Sequence, residues 1–167
     1  DTDEDPDAPP LRAVYGGACE AELTARAVSP VTFKRKAAAW SHEVKLRLPA
    51  ALSPRHHLVF DFAHVNCEKA AKGAAPLETP LGFAAAPLLA EGRPLADGAQ
   101  LLPVAAAKLP TYLSAEAQAN CRWVDNKKPL FAFRTRLVSS VLAQNGQLHA
   151  FFAQAEAGAD SFQLEQA

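Results

Sequence analysis

The spacing of apolar residues predicts strands in three segments of the chain, residues 42–48, 57–65 and 131–138. In each segment apolar side chains recur at alternate positions, and a strand turns alternate side chains to the same face. Pro49 ends the first segment, and the aromatic content of the second favours strand over helix. We therefore expect four aromatic side chains of the last two segments to be buried together: Phe60, Phe62, Phe131 and Phe133.

Shorter apolar runs predict further strands at residues 12–15, 23–28, 81–86 and 101–105. Turn-forming pairs separate these runs: Gly16-Gly17, Glu91-Gly92 and Asp97-Gly98. The chain also contains 13 prolines, which interrupt nearly every window long enough for a helix. Many short strands joined by turns predict an antiparallel, all-β sandwich.

One amphipathic helix is predicted near the C-terminus, over residues 147–157. Its apolar residues follow the i, i+3, i+4, i+7 spacing of a single helix face: Leu148, Phe151, Phe152 and Ala155. Asn145 suits the N-cap and Gly158 the end of the helix. The phenylalanine-rich face of this helix has to pack against the sandwich or against a neighbouring domain.

Charge is distributed unevenly along the chain. Five of the 18 acidic residues lie within residues 1–10, an acidic and proline-rich leader without an apolar period, which leaves 13 acidic against 17 basic residues. That balance suits an anionic surface better than a nucleic acid. We expect residues 11–142 to form the packed domain and residues 143–167 to form the helix and the start of a linker. Because the chain begins with Asp1 and contains no methionine, we expect it to be a piece of a longer protein.

The three cysteines, Cys19, Cys67 and Cys121, form an odd set without a short paired spacing. Neither a signal peptide nor a long apolar run accompanies them. These features are typical of a cytoplasmic protein with reduced thiols.

Few residues suggest catalysis or metal binding. His56, His57 and His64 lie near Cys67, and these are zinc-binding residue types, but His57 and His64 have opposite parity on one strand and no second cysteine pair is present. No serine has the context of a nucleophile elbow, and no glycine-rich loop leads into a helix. We therefore expect no catalytic site, no metal and no cofactor, and we expect Asp61 to face outward as a solvated or edge-protecting charge.

Basic residues form three groups in predicted loops: Lys34, Arg35 and Lys36; Lys69 and Lys72; Lys127 and Lys128. Clustered lysines that face an anionic cytoplasmic leaflet contribute about 1 kcal/mol each. Exposed lysines are also ordinary on any water-facing turn. The pattern alone leaves both interpretations open.

The segment of residues 56–67, His-His-Leu-Val-Phe-Asp-Phe-Ala-His-Val-Asn-Cys, resembles a characteristic string of the DOCK family. Residues 43–49 and 77–83 are similar to the family's segments on either side of it. Later in the chain, residues 122–126, 138–141 and the Phe151-Phe152 pair resemble the closing landmarks of the same region, the first DOCK homology region. The resemblance is greatest to the two subfamilies that include the zizimins.

This resemblance implies a type II C2-like β-sandwich that recruits a larger protein to membrane containing phosphoinositide. In this family a separate C-terminal region exchanges nucleotide on Rho-family GTPases, so any GTPase would be a partner of the parent protein only. The family's basic loop and first strand precede these landmarks, where this chain has its acidic leader, so we expect the sandwich to lack its first strand. A second departure is Ala84-Ala85-Ala86, where relatives carry bulky residues, and here we expect a core that is thinner or filled from elsewhere.

Two functional hypotheses follow. In the first, the domain is recruited peripherally from the cytoplasm to phosphoinositide membrane, with Lys69 and Lys72 as its main lipid contacts and Lys34, Arg35 and Lys36 assisting. In the second, it is a scaffold that packs against other domains of the parent protein without binding lipid. An enzyme ranks a distant third, and no nucleic-acid partner is expected.

Overall fold

The longest paired strands of the described residues form an antiparallel pair. A computed structural model describes residues 9–16, 22–35, 37–49, 52–66, 76–90 and 93–138. Two short strands come first, β1 (Val14–Tyr15) and β2 (Leu23–Thr24), and β3 (His57–Val65) then pairs with β4 (Glu78–Pro87). The predicted strand at 57–65 is therefore confirmed.

A second antiparallel pair is formed by β7 (Gly98–Pro103) and β8 (Pro129–Thr135), after the two-residue strands β5 (Leu89–Ala90) and β6 (Arg93–Pro94). The predicted strands at 81–86, 101–105 and 131–138 thus correspond to real strands with shifted ends. This strand-dominated, antiparallel arrangement confirms the all-β prediction.

Phenylalanine side chains join the β3–β4 pair to the β7–β8 pair. The ring of Phe60 lies 4.7 Å from that of Phe131 and 4.9 Å from that of Phe133, centroid to centroid, and Phe62 lies 5.0 Å from Phe131. The predicted aromatic cluster is therefore present. Its members are only half-buried, however, so they lie together as expected but are less buried than expected. Two-stranded pairs cover one side of each ring and leave part of it accessible.

The most deeply buried side chains are small. Phe83, Ala84, Ala86 and Ala105 are the buried apolar residues of the described chain, and Phe83 and Ala105 exchange two backbone hydrogen bonds of 2.8 Å. Ala105 also bridges to Trp123 on its other side. Because alanines leave space, an apolar depression of about 270 Å³ opens beside them, which agrees with the thinner core expected there.

Segment 42–48 departs from the prediction. Only Leu46 pairs, opposite Val14 of β1, although hydrogen bonds from the Tyr15 N–H to the Lys45 carbonyl (3.0 Å) and from the Arg47 N–H to the Ala13 carbonyl (2.8 Å) flank it. Its alternating apolar residues predicted a buried face, yet two of the three are exposed. The physical reason is that β1 is only two residues long and offers few groups for pairing.

One short helix was missed by the sequence analysis. Helix α1 (Ala115–Asn120) is capped by Ser114, whose Oγ accepts a hydrogen bond of 3.1 Å from the Ala117 N–H. The predicted helix at 147–157 lies outside the described residues. Among the residues that are described, no helix has the length and hydrophobicity that crossing a membrane requires.

Candidate membrane-facing surface

A loop connects β2 to the segment around Leu46, and both of these neighbours pair with the two-residue strand β1. Thr24 of β2 pairs with Val14 on one side, and Leu46 pairs with the same residue on the other. Residues 26–28 and 42–44 line one pocket with Tyr15, so the two ends of the connection lie close together. Residues 28–41, called the 28–41 loop below, therefore form an excursion from a common base.

Two of the predicted lipid-binding residues lie on this loop. The side chains of Lys34 and Arg35 are exposed, and among the described residues neither makes an ion pair. Lys34 has a φ of +49°, in the left-handed region, so the backbone turns sharply there. Its ammonium lies 5.3 Å from the ring centroid of Phe33, which keeps the positive charge next to an aromatic surface.

Apolar side chains on the same loop face water. Val28 is 86% exposed, Val31 65% and Phe33 73%, and Trp40 is also exposed. No aspartate or glutamate occurs between Glu22 and Glu43 in the sequence. The 28–41 loop therefore combines apolar and cationic groups without a carboxylate of its own.

The other three predicted lipid contacts have no described position relative to Lys34 and Arg35. Lys36, Lys69 and Lys72 lie outside the described residues, so their proximity to Lys34 stays a prediction.

The third basic group is engaged locally. The ammonium of Lys127 lies 5.0 Å from the Trp123 ring centroid, and that of Lys128 lies 4.0 Å from the Asp125 carboxylate. Lys127 ends a tight left-handed turn in which Asp125, Asn126 and Lys127 all have positive φ, and Lys128 follows that turn. These contacts favour a structural role for this group over a lipid-binding one.

The histidines of the proposed metal constellation have separate partners. His56 Nδ1 lies 2.8 Å from the Ser53 Oγ, and it accepts from the Ser53 N–H at 3.0 Å. His57 is buried, with Nδ1 2.6 Å from the Arg55 carbonyl oxygen and Nε2 in contact with the Tyr112 hydroxyl. A carbonyl only accepts, so Nδ1 carries a proton and donates it.

His57 is buried and His64 is exposed, although His64 has the parity of Phe60 and Phe62 and His57 has that of Asp61. Within the described ranges no three His, Cys, Asp or Glu side chains converge as metal ligands.

Asp61 faces outward, as predicted, but it has a partner that the sequence did not reveal. The Lys108 ammonium lies 2.8 Å from its carboxylate and 5.8 Å from the Phe83 ring centroid. Lys108 is the more buried partner, because its stem lies along the sheet. Asp61 thus binds the segment that follows β7. The two partners lie 47 residues apart in sequence, so no local sequence pattern indicates their ion pair.

Burial raises the pKa of the Cys121 thiol above its ordinary value, and the nearby Lys127 ammonium offsets part of that shift. A raised thiol pKa keeps the thiolate fraction low, which is the opposite of what a nucleophilic cysteine requires. Cys121 therefore acts as a half-buried apolar group beside the alanine-lined depression.

Comparison with known proteins agrees with the fold. A family model described as the C2 domain in Dock180 and Zizimin proteins matches residues 2–147. Dedicator of cytokinesis protein 9 of Mus musculus is 36% identical over 163 residues, which cover 91% of this chain and 8% of that protein. Dedicator of cytokinesis protein 6 of Mus musculus is 38% identical over 146 residues, covering 85% of this chain and 7% of that protein.

Dedicator of cytokinesis protein 8 of Homo sapiens is 34% identical over 149 residues, covering 85% of this chain and 7% of that protein. The chain thus spans less than a tenth of the length of these relatives. The resemblance noted in the sequence is confirmed, and the chain belongs to the family of C2 domains found in Dock180 and Zizimin proteins.

Proposed function

We propose that this C2 domain recruits its parent protein to membrane containing phosphoinositide, and that the parent protein exchanges nucleotide on a Rho-family GTPase through a separate region. The observation that carries the membrane proposal is the 28–41 loop, where exposed Lys34 and Arg35 lie on a stretch free of carboxylates. Cations near an anionic leaflet bind it through a field that reaches about 8 Å at physiological salt.

Support for the exchange function comes from the relatives alone. The curated relatives are named dedicator of cytokinesis proteins, and this chain corresponds to only 7–8% of each. The resemblance implies exchange on Rho-family GTPases by a region that this chain does not include. The domain itself carries no part of that reaction in this proposal.

The lipid contacts proposed are Lys34, Arg35 and Lys36 on the 28–41 loop and Lys69 and Lys72 on the loop after β3. Lys34 and Arg35 have no ion-pair partner among the described residues, so a phosphate would not have to displace one. If the second loop lies at the same end of the sandwich, both loops can reach one membrane plane.

Vesicle sedimentation tests the proposal. Wild-type chain is mixed with phosphatidylcholine vesicles, with vesicles that contain a phosphoinositide, and with phosphatidylserine vesicles of the same surface charge. We expect binding to the anionic vesicles, greatest with phosphoinositide, and weakening as salt rises because screening shortens the reach of the charges.

Charge-reversed variants identify the surface. Reversing Lys34 and Arg35, or Lys69 and Lys72, to glutamate should weaken vesicle binding and leave the melting temperature unchanged. Arg134→Glu/Arg136→Glu is a matched control, because it reverses two exposed charges on and just beyond β8 instead of in a loop. Equal losses in all three would indicate a net-charge effect, and no binding by the wild type would favour the scaffold role.

A further inference from the structure

The 28–41 loop has a second property that electrostatic attraction does not explain. Val28, Val31 and Phe33 are exposed apolar side chains of this loop, and the Phe33 ring lies beside the Lys34 ammonium. Large exposed apolar groups that cluster with charged neighbours are typical of interaction sites. The residues that flank the loop, Thr24 and Leu46, both pair with Val14 of the two-residue strand β1, and the apolar side chains between them remain exposed.

The charge of the loop determines what kind of partner suits it. Lys34, Arg35 and Lys36 are basic and no acidic residue lies in the loop, so the partner surface has to be anionic. The same partner surface also has to bind the aromatic ring of Phe33, which is the residue before Lys34. The boundary between lipid head groups and acyl chains meets both conditions, since rings enter it while lysine and arginine side chains extend to the phosphates.

We propose that Phe33, with Val31 beside it, enters the acyl boundary of an anionic membrane while Lys34 and Arg35 contact head-group phosphates. This inference rests on the proposed membrane function and adds an apolar anchor to it. The left-handed backbone at Lys34 turns the chain just after Phe33, which brings ring and ammonium to the same bend, 5.3 Å apart.

The apolar anchor predicts a distinct response to salt. Screening weakens the lysine and arginine contacts, but it does not weaken the burial of a ring. Wild-type binding should therefore retain a component at high salt. Loss of the ring should remove that component and leave a binding that salt abolishes.

The test compares Phe33→Ala with Leu101→Ala, which truncates a side chain of similar exposure on β7, far from the loop in sequence. Because the ring loses contact with water when it enters the acyl boundary, we expect Phe33→Ala to weaken vesicle binding by about tenfold, which is about 1.4 kcal/mol. Leu101→Ala should bind as the wild type does. Equal melting temperatures for both variants would exclude unfolding as the cause.

Insertion depth is measured with Phe33→Trp in a Trp40→Phe background, using lipids brominated on their acyl chains, and Trp40→Phe alone gives the contribution of Trp123, which both variants retain. Quenching of the new tryptophan by these lipids, together with protection from iodide in water, is the expected result. If the wild type binds but Phe33→Ala binds equally well and no quenching occurs, the anchor is refuted while the membrane function stands.

Two other results would also overturn the inference. If the wild type binds no vesicle, the membrane function fails and the anchor fails with it. If sedimentation equilibrium shows a dimer that Phe33→Ala dissociates, while vesicle binding is unchanged, the exposed side chains form a contact between two copies of the chain.

Discussion

A methyl group added at Gly82 should destabilise the fold more than a methyl group added at Gly98. Gly82 precedes Phe83, whose N–H and carbonyl both bond to Ala105 at 2.8 Å. A Cβ added at Gly82 would lie 2.5 Å from the Ala105 carbonyl oxygen and 3.0 Å from Val104 Cγ1. The backbone of β4 or of the facing segment has to move to relieve this overlap, and the bridge has to open.

The expected magnitude follows from two contributions. A non-glycine residue held at positive φ costs about 1–2 kcal/mol, and Gly82 has a φ of +156°. Opening the bridge removes up to two backbone hydrogen bonds of about 0.5–1.5 kcal/mol each. We therefore expect Gly82→Ala to lower the free energy of unfolding by about 2–5 kcal/mol, the sum of the two.

Gly98 provides the matched control. It also has a positive φ, +117°, but a Cβ there would have no atom within 4 Å. Gly98→Ala should therefore cost only the conformational part, about 1–2 kcal/mol. The difference between the two variants isolates the close approach at Ala105.

Urea unfolding followed by tryptophan fluorescence measures both variants, and Trp123 reports on the same site because it bridges to Ala105. A loss for Gly82→Ala at least 1 kcal/mol larger than for Gly98→Ala is expected. Equal losses would mean that the contact between β4 and Ala105 contributes little, and the explanation of this glycine would be wrong.

Three further predictions concern the core and its polar contacts. Phe60→Ala should lower the free energy of unfolding by about 2–3 kcal/mol, which is below the usual 3–5 kcal/mol because the ring is half-buried. Leu101→Ala should lower it by less than about 0.5 kcal/mol. A larger loss for Leu101→Ala than for Phe60→Ala in urea unfolding would contradict the assignment of Phe60 to the packed face of β3. Tyr112→Phe removes the hydroxyl that contacts His57 but keeps the ring packing, so the free energy of unfolding should fall by about 1 kcal/mol. An unchanged midpoint of urea unfolding would show that this hydrogen bond does not stabilise the fold. Since burial raises its thiol pKa, Cys121 should react with iodoacetamide more slowly in the folded chain than in urea at neutral pH, and its reaction should become faster as pH rises. Peptide mass spectrometry measures both rates, and equal rates in the folded and the urea-unfolded chain would contradict the prediction.

The sequence predicted strands best where alternation and partner length agreed. Residues 57–65 form β3 with the predicted bounds, because its apolar face meets a ten-residue partner, β4. Residues 42–48 have an equally clear alternation but pair at a single position. Alternation determines which side chains share a face, whereas the length of a strand depends on a partner elsewhere in the chain.

Helix α1 was missed for a related reason. Six residues are too few to show helical periodicity, and the helix begins because Ser114 caps its first turn. Prolines interrupt most windows of the chain, but α1 fits between Pro110 and Pro129.

The candidate surface could be predicted only in part. Basic residues at 34–36 were evident as a charge cluster, but the exposure of Phe33 beside them was not, since an apolar residue is by default expected to be buried. The ion pair of Asp61 with Lys108 joins residues that are distant in sequence, so no local pattern predicted it.

Hydrogen–deuterium exchange with and without phosphoinositide vesicles reports which part of the chain meets the membrane. Exchange should slow on vesicles in peptides that cover residues 28–41 and 67–76, and it should stay unchanged in β7 and β8. Slowing centred on β7 and β8, or no slowing anywhere under conditions in which the chain sediments with the vesicles, would contradict this prediction.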